Sequence, residues 1–289
     1  SGTYNTAAST TLYAKWTGVT YTVTYKAGPD GTGSDLTQSY TYPGSLTLKT
    51  RADVSSLITR TGYYITGWTT VSTTGGNQTD ALGSTYSAAS NKTLYPVWTK
   101  VPVFTSIATS VFPFSNSGTL VWINGSDLNQ ITAVTIGGNS AGIYSYGGSN
   151  SVQVRIPDAI VAGSVDIVMT YAAGTVTATN AVTYVAAPTI TSFSPSSVGS
   201  LGGTTVTVTG TGFTGASSVK LNNVTTISSY TVVNDTTLTF ATPALSSPQT
   251  IYITTVGGTA SSATKIAINK VAQTITWTST VPATPQVGG

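Results

Sequence analysis

The chain has 289 residues, a formal charge of +3 and 7% charged residues, where an ordinary soluble domain carries about 25%. Eight Asp with no Glu, His or Cys exclude a zinc cage, a haem ligand, a thiol nucleophile and a Ser-His-Asp triad, so no cofactor is expected. About one residue in five is Thr, and Val, Tyr and Gly are abundant; such a chain favours strands over helices, and the expected fold class is all-β.

Residues 1–18 read as the end of a unit that begins upstream. Thr3-Tyr4, Thr11-Leu12-Tyr13 and Trp16-Thr17 return as Thr85-Tyr86, Thr93-Leu94-Tyr95 and Trp98-Thr99, always 82 residues later. One repeat is therefore seen twice, the first time only as its closing strand or two. The complete copy spans 19–100. Tyr21, Val23 and Tyr25 alternate with Thr22, Thr24 and Lys26, the period of a half-buried strand. Ala27 to Asp35 is a turn-rich loop, Leu46 and Leu48 alternate in a second strand, and 52–59 is expected to form a short helix. TRTGYYITGW (residues 59–68 read as Thr59 to Trp68) and TLYPVW (Thr93 to Trp98), after YTVTYKAGPDGTG, resemble the Listeria–Bacteroides repeat of the internalin B type. The resemblance implies a small β-grasp-like module of the kind strung in tandem along bacterial surface and secreted proteins. A longer spacer around Asp53 to Ile58 departs from its usual pattern.

Two longer units follow, 101–187 and 188–270. Thr105-Ser106-Ile107 matches Thr191-Ser192-Phe193, Gly118-Thr119-Leu120-Val121 matches Gly203-Thr204-Thr205-Val206, and the run from Thr170 to Thr175 matches Thr254 to Thr259. The offset drifts only between 84 and 86, so the strands are equivalent and the loops differ. In the second copy, Pro188 to Pro195 (PTITSFSP) and Gly202 to Phe213 (GGTTVTVTGTGF) look like the IPT/TIG family, which implies an Ig-like β-sandwich. The first copy is IPT-like but departs, with Phe114-Ser115-Asn116-Ser117 before its strand and Gly125-Ser126-Asp127-Leu128 for Gly-Thr-Gly-Phe. Residues 271–289, with Ile275 and Trp277 alternating, resemble the start of a further Ig-like module. The expected architecture is thus a tandem array with partial modules at both ends.

Few residues carry chemistry. Asp30 and Asp35 flank a Gly-rich loop; two carboxylates without the remaining oxygens of a calcium site favour a plain turn, and no metal is expected. Tyr63, Trp68, Tyr95 and Trp98 belong to the repeat's own motif and read as packing. Tyr144 and Tyr146 form the best candidate for an exposed aromatic loop that touches glycans. Lys265 and Asn269 have the residue types of a Lys–Asn isopeptide crosslink, but no acid stands near them in sequence. Arg155, Lys220 and Lys265 are the only Lys or Arg between 101 and 269, too few for the phosphate contacts of duplex DNA, so no nucleic-acid partner is expected. No apolar run is long enough to span a membrane. At the two ends, Leu12, Tyr13, Trp16, Ile275 and Trp277 are expected on edge strands able to recruit copies of the chain or adjoining repeats by strand addition.

The composite expectation is a non-enzymatic structural segment of a bacterial extracellular or cell-surface protein: a stalk, adhesin shaft or filament. Thr99 to Pro102 and Ala186 to Pro188 are its joints, stiffened because Pro fixes its own φ and restricts its predecessor. The alternative is a glycan-binding accessory region of a secreted polysaccharide-degrading enzyme.

Overall fold

Alternation governs the first unit. In the strand Val19–Tyr25, Val23 and Tyr25 are buried while the alternating Thr22 and Thr24 stay partly open. The computed structural model describes residues 13–73, 75–115, 118–159 and 161–270, and the chain divides into a unit up to Val103 and a unit from Phe104 onward.

Val19–Tyr25 pairs antiparallel with Leu36–Tyr42, Val19 opposite Tyr42 and Tyr25 opposite Leu36. On its other side it runs parallel to Lys92–Lys100, which pairs antiparallel with Tyr63–Thr69. The first and last strands are therefore central neighbours, a β-grasp-like order. One face carries the core, with Val23, Tyr25, Leu48, Val54, Ile65, Trp68 and Leu94 buried. The other carries hydroxyl pairs such as Thr22–Ser39 (3.1 Å) and Thr66–Thr99 (3.0 Å).

The helix expected over 52–59 is a single turn, Arg51–Val54. Its start is set by a capping box. Thr50 Oγ1 accepts from the Asp53 amide (3.4 Å), and the Asp53 carboxylate accepts from the Thr50 amide (2.7 Å). Such reciprocal caps satisfy the orphan donors of the first turn. The turn does not propagate because Ile58–Thr59 pairs instead with Thr32–Gly33, burying the β-branched Ile58. Tertiary pairing outweighs a weak helical preference here. Gly33, at φ +138, takes part because a Cβ there would stand 2.0 Å from the Leu57 carbonyl oxygen.

The second unit contains two β-sandwiches in sequence. The first stacks the sheet Val111–Pro113, Gly174–Val185, Gly163–Tyr171, Ala133–Ile136, Asn139–Ala141 on the sheet Ile143–Tyr146, Ser151–Arg155, Leu120–Ser126, Val103–Ile107. Ile123, Leu128, Ile136, Val152, Ile167 and Met169 fill the space between them. The second sandwich faces Thr189–Ser194, Thr205–Thr211, Thr237–Ala241 and Tyr230–Asn234 against Ser218–Leu221, Ile251–Thr255 and Gly258–Ser261, around Val206, Val208, Phe213, Leu221, Phe240 and Ile253. Equivalent strands begin at Leu120 and Thr205, at Ala133 and Ser218, and at Gly174 and Gly258. In both sandwiches a short early strand runs parallel to the last: Val111–Pro113 beside Gly174–Val185, and Ser197–Gly199 beside Ala267–Asn269.

Candidate functional site

The joint between the two sandwiches is a closely packed feature of the second unit. The strand Gly174–Val185 ends in Ala186-Ala187-Pro188, and Thr189–Ser194 follows at once. Pro188 is buried; it fixes its own φ and holds Ala187 extended. The turn between Ile251–Thr255 and Gly258–Ser261 lies on this linker. A Cβ on Gly257 would stand 1.9 Å from the Ala186 carbonyl oxygen and 2.9 Å from that of Val185. At Gly258, where φ is +135, it would lie 3.2 Å from Ala187 Cβ. Backbone thus rests on backbone, a contact open only to glycine. The turn is pinned by its own Gly257 amide, which donates to Thr255 Oγ1 (3.2 Å). On the first sandwich the Phe114 amide donates to Val185 O (2.9 Å), and Pro113 and Phe114 share an apolar crevice with Val256. Nothing in this arrangement does bond chemistry; it is a packing contact between the turn of the second sandwich and the linker. Sequence reasoning found the linker but not its buttress. The available signal was Gly257 standing where the first copy has Ala173.

The residues singled out from the sequence fall elsewhere. Asp35 pairs with Lys26 (2.8 Å) and Asp30 approaches Arg60 (3.7 Å), so the two carboxylates turn to separate cations. Trp68 is fully buried and Trp98 packs on the same core. Asn269 Nδ2 donates to Ser197 Oγ (3.2 Å) and Lys265 is exposed, which supplies none of the burial that an isopeptide crosslink would need.

Tyr144 and Tyr146 lie not in a loop but on the edge strand Ile143–Tyr146, because Ile143 and Tyr146 find partners in Val154 and Val152. The register shifts between Ile143 and Ser145, leaving Tyr144 at a bulge and 65% exposed. Tyr146 is 44% exposed, and its hydroxyl donates to the Ile131 carbonyl, closing the sandwich edge. The pair is therefore divided: Tyr144 is presented and Tyr146 is tied down.

Of the strand-exchange candidates, Leu12, Ile275 and Trp277 lie outside the described residues. Tyr13 and Trp16 are each 89% exposed, and Tyr13 to Gly18 belongs to no strand. That corrects the edge strand expected there. Among the described residues no ladder reaches this segment, and a strand without a partner has no backbone bonds to hold it.

The electrostatics are sparse. Hydrogen bonds from Thr50 hold the Asp53 carboxyl below the ordinary carboxylate value, and bonds from Thr214, then Gly212, do the same for Asp235. The hydrogen bond to Asp35 raises Lys26, and burial raises the phenols of Tyr25 and Tyr184. A lowered carboxyl stabilises the fold above its unfolded value and loses that contribution as pH falls through the folded one. A raised Lys or Tyr stabilises below its unfolded value and loses it as pH rises. Both losses lie outside neutrality. The thermal midpoint should therefore be flat between about pH 5 and 8, falling only on the acid and alkaline sides. A shift of more than a few degrees within that window, read by calorimetry, would contradict it.

Residues 102–184 and 188–269 each match the IPT/TIG domain family. No curated protein matches the chain. Among solved structures it is similar to SGBP-B from a complex xyloglucan utilization locus in Bacteroides uniformis, at 24% identity over 58% of this chain and 49% of that one, TM-score 0.28. Similarity extends to the surface glycan-binding protein PbSGBP-B from Prevotella bryantii, at 18% over 58% and 42%, TM-score 0.29. The I9-I11 tandem of titin is alike at 15% over 63% and 70%, TM-score 0.31. The chain spans less than half the length of the two bacterial proteins. Likeness at this level concerns the fold alone.

Proposed function

Because the chain belongs to the IPT/TIG domain family, with two copies in tandem, we propose that it is a non-enzymatic structural segment of a bacterial extracellular or cell-surface protein, a stalk or shaft that holds other parts at a set distance and direction. The observation that carries this reading is the joint: Gly257 against Ala186, with Pro188 buried behind it. A spacer needs orientation to survive outside the cell, where salt and pH vary. Here much of the exposed pairing is between neutral hydroxyls, such as Thr189–Thr211 (2.7 Å) and Thr254–Thr259 (2.9 Å). Neutral pairs neither titrate nor weaken by ionic screening, unlike surface salt bridges. Residues 19–100 are read as a Listeria–Bacteroides-type repeat in the same array.

The test uses the lack of native cysteine. Spin labels on Thr179→Cys and Val224→Cys, in the full chain, should report one narrow distance. Gly257→Val should broaden it and cost about 1–3 kcal/mol, the usual penalty of forcing atoms into a filled contact. A broad distribution in the parent would remove the fixed joint and with it this reading.

The alternative, a glycan-binding accessory region of a secreted polysaccharide-degrading enzyme, rests in this unit on Tyr144, the more exposed of the two tyrosines. It requires saturable glycan binding that Tyr144→Ala removes. Assembly with further copies by strand addition requires filaments from residues 1–289 that residues 18–270 do not form, which electron microscopy resolves.

A further inference from the structure

In the first unit and in both sandwiches, an early strand lies beside the closing strand and runs parallel to it. In the first unit Val23, Thr24 and Tyr25 stand opposite Lys92, Thr93 and Leu94. In the first sandwich Val111, Phe112 and Pro113 stand opposite Thr183, Tyr184 and Val185. In the second, Ser197, Val198 and Gly199 stand opposite Ala267, Ile268 and Asn269. Hairpins give antiparallel pairs, whereas a parallel pair needs the chain to cross over and return. A β-grasp-like sheet and two sandwiches thus reach one terminal arrangement through different connections. Holding other parts at a distance does not by itself require it.

Parallel pairing decides how a module meets tension. The entering strand is pulled from its start and the closing strand from its end. In a parallel pair those two points lie at opposite ends, so the strands must slide past each other and the bonds between them are loaded together. Were the same two strands antiparallel, the points would lie at one end and the bonds would open in turn. Each short ladder is flanked by further backbone bonds. The Lys26 amide donates to Leu94 O (2.9 Å), those of Thr183 and Phe114 to Ser110 O (2.7 Å) and Val185 O (2.9 Å), and those of Ala267 and Ser200 to Ser196 O (2.9 Å) and Asn269 O (3.2 Å). Side chains add two more: the Thr22 amide donates to Asn91 Oδ1 (2.8 Å), and Asn269 Nδ2 to Ser197 Oγ (3.2 Å). Sliding also drags buried groups out of place: Val23, Tyr25 and Leu94 in the first unit, Phe112 and Tyr184 in the first sandwich, Val198 in the second.

From this geometry we infer a further function: the chain bears tension along its length, and the parallel terminal pair of each module is the element that resists it. In the first unit the pair takes the load directly. In the sandwiches it takes the load once the preceding strand, Val103–Ile107 or Thr189–Ser194, has given way. The source of the tension rests on the surface-spacer reading, since a segment held at one end and pulled at the other is stretched. The resistance itself depends neither on that reading nor on the Gly257 joint. Forced unfolding follows the unfolding rate rather than the equilibrium stability, so a load-bearing pair is separable from one that merely stabilises the fold.

The experiment holds the full chain in a force clamp and pulls the first unit in two directions. One tether is the N-terminus in both cases. The other is Val103→Cys, which loads Val19–Tyr25 against Lys92–Lys100 in shear, or Ala89→Cys, which pulls the two strands from the same end. Both positions are exposed, and the chain has no other cysteine. At one clamped force the folded lifetime should be longer in shear by about tenfold or more, the margin of a single net hydrogen bond in the barrier. Lys26→Pro removes the amide bonded to Leu94 O and should shorten the shear lifetime about tenfold. Lys26→Ala keeps that amide, loses only the exposed pair with Asp35 and should stay close to the parent. Equal lifetimes in the two directions overturn the proposal, and so does a Lys26→Pro lifetime in shear that matches Lys26→Ala. If calorimetry shows that Lys26→Pro does not fold, the two directions decide alone, because neither cysteine replacement touches the pair. A broad spin-label distance at the joint would remove the spacer reading and leave this result standing.

Discussion

Trp68→Ala is expected to abolish the cooperative melt of the first unit and leave that of the second in place. Trp68 is fully buried and sits 4.8 Å, centroid to centroid, from Tyr25. Its indole N–H donates to the Lys49 carbonyl (2.9 Å), which ties the segment before the helical turn to the sheet. Truncating a core Trp to Ala costs about 3–5 kcal/mol. Stranding the Lys49 carbonyl adds about 1–3 kcal/mol where water does not replace the donor. A whole domain is stable by about 5–15 kcal/mol, and a unit of this size belongs near the bottom of that range. The loss therefore approaches the total. The second unit has separate cores and should not respond. Differential scanning calorimetry of the full chain checks this. Trp68→Phe should fall between, since it restores ring packing without the N–H. A Trp68→Ala chain that keeps the first transition within a few degrees would show that the ring is not central to that core.

The second large effect is Gly210→Ala in the second sandwich. Gly210 lies in Thr205–Thr211, opposite Ile190. A Cβ there would stand 1.8 Å from the Thr189 carbonyl oxygen and 2.6 Å from the tip of the Phe213 ring. Neither neighbour can yield easily. Thr189 is held by its pairing with Thr211 and follows the buried Pro188, and Phe213 is fully buried in the core. Overpacking of this kind costs about 1–3 kcal/mol and can exceed that where backbone must shift. The melting midpoint of the second sandwich should drop by several degrees or more. Gly215→Ala is the control: φ there is +75 but nothing stands within 4 Å, so only the modest backbone penalty applies. Equal losses at Gly210 and Gly215 would mean that conformation, not close approach, is what demands glycine in this motif.

These cases mark what can be read from a linear chain. Strands with period-2 alternation were legible because alternation is local: Val23 and Tyr25, and Val206 and Val208, are all buried as their spacing requires. The equivalence of the two longer copies was legible for the same reason, since each repeats the same local pattern. The IPT/TIG motif carried Gly210 as a letter; its reason, the Thr189 carbonyl, comes from a strand some twenty residues away.

What the sequence by itself determined is therefore the all-β class, the tandem order of the two Ig-like copies and which alternating residues face a core. Only the tertiary structure decided that the helix stops after Val54, that Tyr146 is tied to Ile131, that Gly257 rests on Ala186, and that Arg60 meets Asp30 beside Tyr63. The physical reason is range. Burial on a strand follows from neighbours two positions apart, whereas a cap overridden by strand pairing, a backbone contact between a turn and a linker, and a charge pair beside an aromatic ring each join residues that no spacing rule connects.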